Sequence, residues 1–165
     1  MVTLDLLESV SAFKGLNDRQ LDVIRKACKV VEFNRDDRLF REGDPADHLW
    51  IVTEGTVDLR FELPGILTAS DENTISSLEA QDDRKRTLGW SCFVPPYKMV
   101  LSAYCVTRTC TVIKIARETL HEICENDHEL GYKVMSYLIK IVGHRFQLFQ
   151  DELARMKGHD ILNTW

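Results

Sequence analysis

The sequence has no C-x-x-C pair, and its cysteines (Cys28, Cys92, Cys105, Cys110 and Cys124) are odd in number and scattered. That argues against a disulfide framework and for a reducing, cytoplasmic compartment, with these residues acting as small buried hydrophobes. It has no basic excess: 21 Lys and Arg stand against 26 Asp and Glu, a net charge of −5. A surface for nucleic-acid phosphates needs a clustered basic face, so direct DNA binding is not expected. It has no apolar run near the ~20 residues of a membrane span. The opening Met1-Val2-Thr3-Leu4-Asp5 has no basic segment leading into an apolar one, so no secretory signal is expected. No phosphate-cradling P-loop, no G-x-G-x-x-G and no G-x-S-x-G elbow occurs. Ser91 and Ser102 have no histidine nearby in sequence to serve as base.

What is present is an ordinary globular balance in 165 residues, enough for one domain with a sizeable core. Leu4, Leu7, Val10 and Phe13 fall three apart and predict a helix that Gly15 ends. Asn17 is a good N-cap with Gln20 in capping-box position, and Leu21, Ile24 and Cys28 give the next helix its apolar stripe. From Val30 the period becomes two. Strands are predicted at Val30 to Phe33, Leu39-Phe40, Leu49 to Val52, Thr56 to Glu62, Thr74 to Leu78, Met99 to Val106 and Cys110 to Ile115. In the strand from Thr56, the residues Val57, Leu59 and Phe61 take one face, while Asp58, Arg60 and Glu62 take the other, with Arg60 expected to face outward, the alternative being that it reaches the pocket mouth. Leu63 to Asn73 reads as a hairpin tip, and the charge run Gln81 to Thr87 as a solvated loop.

Helical spacing returns after Ile115. Arg117 to Glu125 places Leu120, Ile123 and Cys124 on one side, and a longer pattern covers Asp127 to Lys157. About 30 residues make ~45 Å of helix, more than a small domain covers. Part of its Leu, Ile, Val and Phe packs on the domain. The rest suits a parallel seam with a second copy, the alternative being that the helix folds back entirely on its own domain. His121, Cys124 and His128 are spaced for metal ligation on one helix, but Asn126-Asp127 reads as a junction that breaks the geometry, so no metal is expected.

The stretch Phe40-Arg41-Glu42-Gly43-Asp44-Pro45-Ala46-Asp47-His48-Leu49-Trp50-Ile51-Val52-Thr53-Glu54-Gly55-Thr56-Val57-Asp58-Leu59 carries the most information. Gly43-Asp44-Pro45 and Glu54-Gly55 are turn signals on either side of an apolar strand. In order and spacing it resembles the β-roll of cyclic-nucleotide-binding domains, over roughly Leu7 to Lys157. The resemblance is to the sensor half of the catabolite-activator and FNR-like regulators, without their helix-turn-helix half. It implies a mostly-β fold with α: an antiparallel β-roll of jelly-roll type with N-terminal helices and a long C-terminal helix. A single domain over 1–158 is expected (helices in 1–29, roll in 30–116, hinge and long dimerisation helix in 117–158), followed by a tail at 159–165.

In that family the cyclic phosphate sits on a short helix between two strands, an Arg neutralises it and a Glu accepts from the ribose. The matching segment runs from Leu88 to Ala103. Gly89 matches the family's Gly, Trp90 falls at the ribose-binding Glu, Met99 or Val100 at the phosphate-binding Arg, and Ser102 at the small hydroxyl position. Losing both charged groups removes two contacts of roughly 1.5–3 kcal/mol each. The candidate ligand residues are therefore Gly89, Trp90, Ser91, Cys92, Lys98, Met99, Ser102 and Ala103. Ser91 to Phe93 would offer N–H groups, Lys98 charge, and Trp90 or Tyr97 a stacking face. The ligand would be cAMP, cGMP or another small anion. The alternative is that Trp90, Phe93 and Met99 fill the pocket, leaving a ligand-free dimerisation and docking scaffold. A metal-dependent enzyme of the cupin type needs two His one residue apart, then a carboxylate and a further His. His48 is alone in the β region, and no enzymatic activity is expected.

Overall fold

The architecture follows from how the N-terminal helices begin and end. In the computed structural model, which describes residues 2–62, 74–79 and 86–162, Thr3 caps α1 (Leu4–Glu8) by accepting from the Leu6 N–H at 3.1 Å. The expected single helix through Phe13 breaks at Ser9. Its hydroxyl donates to the Leu6 carbonyl at 2.7 Å, a local bond that competes with the helical ladder. The chain re-forms as a 3-10 turn, Ser11–Phe13, and Leu7, Val10 and Phe13 are still fully buried. The capping box forms as expected at α2 (Asp18–Ala27): Asn17 Oδ1 accepts from Gln20 N, and Gln20 Oε1 from Asn17 N.

Eight strands follow, at the positions that period-two alternation predicts save one. They are β1 (Cys28–Asn34), β2 (Arg38–Phe40), β3 (His48–Glu54), β4 (Thr56–Arg60), β5 (Thr74–Glu79), β6 (Thr87–Leu88), β7 (Ser102–Cys105) and β8 (Thr109–Ala116). They form two antiparallel four-stranded sheets, ordered β1-β8-β3-β6 and β2-β7-β4-β5. The unexpected strand is β6. Arg86 and Thr87, read from sequence as the end of a solvated loop, are buried, and the Arg86 carbonyl accepts from Val52 N. The remainder of that charge run and the hairpin tip at Leu63 to Asn73 lie outside the described residues.

The sheets meet through aromatic rings. Phe40 of the second sheet lies 5.7 Å from Trp50 of the first, and Phe33 lies 6.4 Å from it. Val57, Leu59, Ala103 and Cys105 extend this inter-sheet layer in mutual register. On the other face of the first sheet, Leu49 pairs with Ile115 and Ile51 with Ile113, all fully buried in the core they share with the helices.

Strand β8 passes into α3 (Arg117–Asn126), and α3 meets α4 (His128–Leu162) at Asp127. Asp127 is extended and caps α4 by accepting from Leu130 N at 3.0 Å. The junction read from Asn126-Asp127 is present. His121 and His128 thus lie on different helices, and no three His, Cys, Asp or Glu among the described residues could hold a metal ion. α4 has 35 residues, about 52 Å of helix. It runs past Lys157 to Leu162, into the stretch expected as a tail. No helix among the described residues is long and apolar enough to cross a membrane.

Candidate functional site

The segment from Gly89 to Ala103 does not gather its candidate residues around one point. Gly89 is left-handed (φ 74°) and opens a 3-10 turn, Trp90–Phe93. A Cβ here would stand 2.5 Å from the His48 carbonyl and 2.9 Å from the Trp50 ring, so only glycine fits. Cys92 is buried, and burial pushes its thiol up to about 12. Met99 is 5% exposed, and its methyl lies 3.5 Å from that Cβ position. Its backbone exchanges bonds with the 43–44 turn: Gly43 N donates to Met99 O, and Met99 N to Asp44 O. Trp90 packs half-buried against the core and Ser91 is buried. Around Gly89 the interior is thus occupied by Trp50, Cys92 and Met99.

The other candidates point elsewhere. Lys98 is exposed at a bridge to Pro45, with no side-chain partner among the described residues. Tyr97, a candidate stacking face, already carries the Arg117 guanidinium 4.8 Å from its ring centroid. Ala103 is fully buried on the inter-sheet face, paired with Leu59 and Phe40. Only Ser102 enters a polar cluster. Its Oγ accepts from Glu42 N at 2.8 Å and donates to Glu62 Oε1 at 2.7 Å.

That cluster covers the opposite face of the second sheet. Tyr104 Oη donates to the same Glu62 oxygen at 2.6 Å, with the Arg38 guanidinium 3.8 Å away. The donations from Ser102 and Tyr104 hold the Glu62 carboxyl below the usual carboxylate range. Burial, then the facing carboxylate, raises the Tyr104 phenol. Next to them Arg60 Nη2 donates to Asp58 Oδ2 at 2.9 Å, Arg60 Nε to Thr74 Oγ1 at 3.3 Å, and Ser77 Oγ to Asp58 Oδ1 at 2.6 Å. The guanidinium lies 5.3 Å from the Tyr104 ring centroid. Arg60 does lie on the face that alternation assigns it, but it is 8% exposed rather than solvated. A cation this deep persists because a carboxylate, a hydroxyl and a ring compensate its lost hydration. Period-two spacing of Asp58, Arg60 and Glu62, and of Ser102 and Tyr104, was the available signal. It identifies a face but not what covers it.

The comparisons agree with this architecture. Residues 30–127 match the cyclic nucleotide-binding domain family, and the chain belongs to that family. Its fold is similar to that of a candidate cyclic nucleotide-binding protein from Geobacter metallireducens GS-15, with TM-score 0.71 and 26% identity, covering 88% of this chain and 99% of that one. It is also similar to a cyclic nucleotide-binding domain from Methylobacillus flagellatus KT, with TM-score 0.72 and 20% identity, covering 93% and 81%. Over 53 residues it is 36% identical to cyclic nucleotide-gated ion channel 2 of Arabidopsis thaliana. That match spans 32% of this chain and only 7% of the channel.

Proposed function

We propose that this chain is a non-enzymatic regulatory sensor module of the cytoplasm. A small anionic ligand, cAMP, cGMP or another anion, occupies the β-roll, and α3 and α4 pass that occupancy to a second copy and onward to a partner protein. The observation that carries the reading is the apolar stripe of α4. Tyr132, Ile139, Phe146 and Leu153 stand seven residues apart and are 75%, 67%, 57% and 42% exposed. Large apolar side chains repeating every seven residues fit a two-stranded seam in which each copy covers the other. The stripe is tied closely to the roll. Arg117 N donates to Asp47 O at 2.8 Å where β8 becomes α3, and α3 turns into α4 at the single residue Asp127. A ligand that favours one angle at Asp127 would bias the seam.

Lys98 is the exposed cation of the segment and the group open to an anion there, whereas Arg60 and Ser102 are committed to Asp58 and Glu62 on the outer face of the second sheet. A second reading, a ligand-free dimerisation scaffold, is favoured by the packing of Trp50, Cys92 and Met99 around Gly89.

Light scattering combined with calorimetric titration of cAMP and cGMP tests both. The wild type should be a dimer and an Ile139→Asp/Phe146→Asp variant a folded monomer. A monomeric wild type would sink the seam. Heat on titration that disappears in Lys98→Ala supports the sensor, whereas a dimer giving no heat with either nucleotide supports the scaffold.

A further inference from the structure

An open groove of about 680 Å³ lies between the 3-10 turn after α1 and the first half of α4, apart from the Gly89–Ala103 segment. Lys14 enters it from the turn, and Lys133, Ser136, Tyr137, Lys140 and His144 enter it from the helix. Lys133, Lys140 and His144 are seven and four residues apart. At ~100° per residue they fall within about 40° of each other, on a strip centred roughly 120° round the axis from Ile139. Tyr132, at the start of the apolar stripe, also borders the groove, and from Ile139 onward the stripe and the groove occupy different faces of the helix.

Its electrostatics run against those of the chain, whose net charge is −5. Lys133 is held in place, its Nζ donating to the Gly15 carbonyl at 2.7 Å and to Glu129 Oε1 at 2.8 Å. Lys14 and Lys140 have no ion-pair or hydrogen-bond partner among the described residues, and neither does the His144 ring. Two exposed ammonium groups bordering one open groove, with hydroxyl and imidazole side chains lining it as well, suit several adjacent anionic oxygens. The recess lies within the size range of small-ligand sites, and Ile141 gives it an apolar floor. On an acidic protein such oxygens have little reason to bind elsewhere.

We infer that this groove binds an oligophosphate, either a free phosphate chain or the triphosphate of a nucleotide, at a site separate from the β-roll.

The test is calorimetric titration of the whole chain with inorganic triphosphate and, separately, with ATP at about 150 mM salt, where weak surface attraction is screened. Both should bind the wild type. Lys14→Gln/Lys140→Gln should raise Kd about tenfold or more with each, through loss of two charge-assisted contacts. Both side chains are exposed, so the variant should melt with the wild type, which separates lost binding from lost folding. Tighter binding of ATP would assign the groove to a nucleotide, and equal binding to the phosphate chain alone. Absence of binding by either, or an unchanged Kd in the double variant, overturns the proposal. So does capture by anionic vesicles or acidic peptides with no triphosphate binding, which would make the face a macromolecular contact.

Discussion

Two regions of the roll have exchanged chemistry relative to what the family's motif leads one to expect. The turn after β6, where charge is expected, is packed with Trp50, Cys92 and Met99 around a glycine that has no spare room. The outer face of the second sheet, where solvated side chains are expected, holds a buried guanidinium, two carboxylates, hydroxyls and a phenol in two hydrogen-bonded groups joined by the Arg60–Tyr104 ring contact. Apolar packing tolerates volume-conserving change, while a buried ionic network does not tolerate loss of one member. Apart from Gly89, the first region can take volume-conserving changes and still fold. The second is a commitment of the fold.

The largest effect should come from breaking that network. Asp58→Ala leaves the Arg60 guanidinium buried without its carboxylate and should cost about 3–5 kcal/mol. Adding Arg60→Met should recover most of the loss. Urea denaturation of the two variants checks this, and a single variant as stable as the wild type would erase the contrast between the regions. Next, Met99→Ala should cost about 2–3 kcal/mol if its side chain fills space that nothing else occupies. A smaller loss, recovered on adding cAMP or cGMP, would instead identify a ligand-shaped space.

Gly89→Ala should cost about 2 kcal/mol, since a left-handed backbone and a crowded Cβ position act together. Thermal melts at fixed pH would measure it. The smallest effect sharpens the comparison most. Glu62 titrates below its ordinary range, so its bonds stabilise the fold above the unfolded carboxyl value of about 4.3, and that stability is lost as pH falls through the lower folded value. Ser102→Ala removes the first cause of this shift. It should cost about 1 kcal/mol at neutral pH and flatten the acid limb of the stability curve. An acid limb identical to that of the wild type would detach Ser102 from Glu62.

Local chemistry was legible in the sequence. The Asn17–Gln20 capping box, the turns at Gly43 and Gly55 and the joint at Asp127 each depend on residues a few positions apart, and each is where the sequence places it. Strand positions followed from alternation because one face of each sheet is apolar. The break at Ser9 was missed because three-residue spacing persists through it, its hydroxyl bond being invisible to a hydrophobic pattern. The two-residue β6 owes its existence to its partners Trp50 and Ile51, which lie far away in the chain. The family's motif drew attention to Gly89 through Ala103, but the burial of Arg60 depends on the packing around Asp58, Thr74 and Tyr104, and no spacing rule encodes that.

One small group ties the start of the longest helix to the N-terminal helices. The Gln20 amide closes the capping box of α2 with its oxygen, and with its nitrogen it donates to Asp127 Oδ2 at 2.9 Å, across 107 positions of sequence. Asp127 ends α3 and starts α4, so three helix ends share one carboxamide. A ~52 Å rod held at its base magnifies any rotation there. A tilt of a few degrees at Asp127 displaces the far end by several ångströms, about the width of one side chain. Gln20 and Asp127 form the pivot of α4, and the buried Leu130, Val134 and Leu138 and the Arg145 bond to the Thr87 carbonyl hold its first half against the domain, so a change at the pivot is felt beyond Arg145.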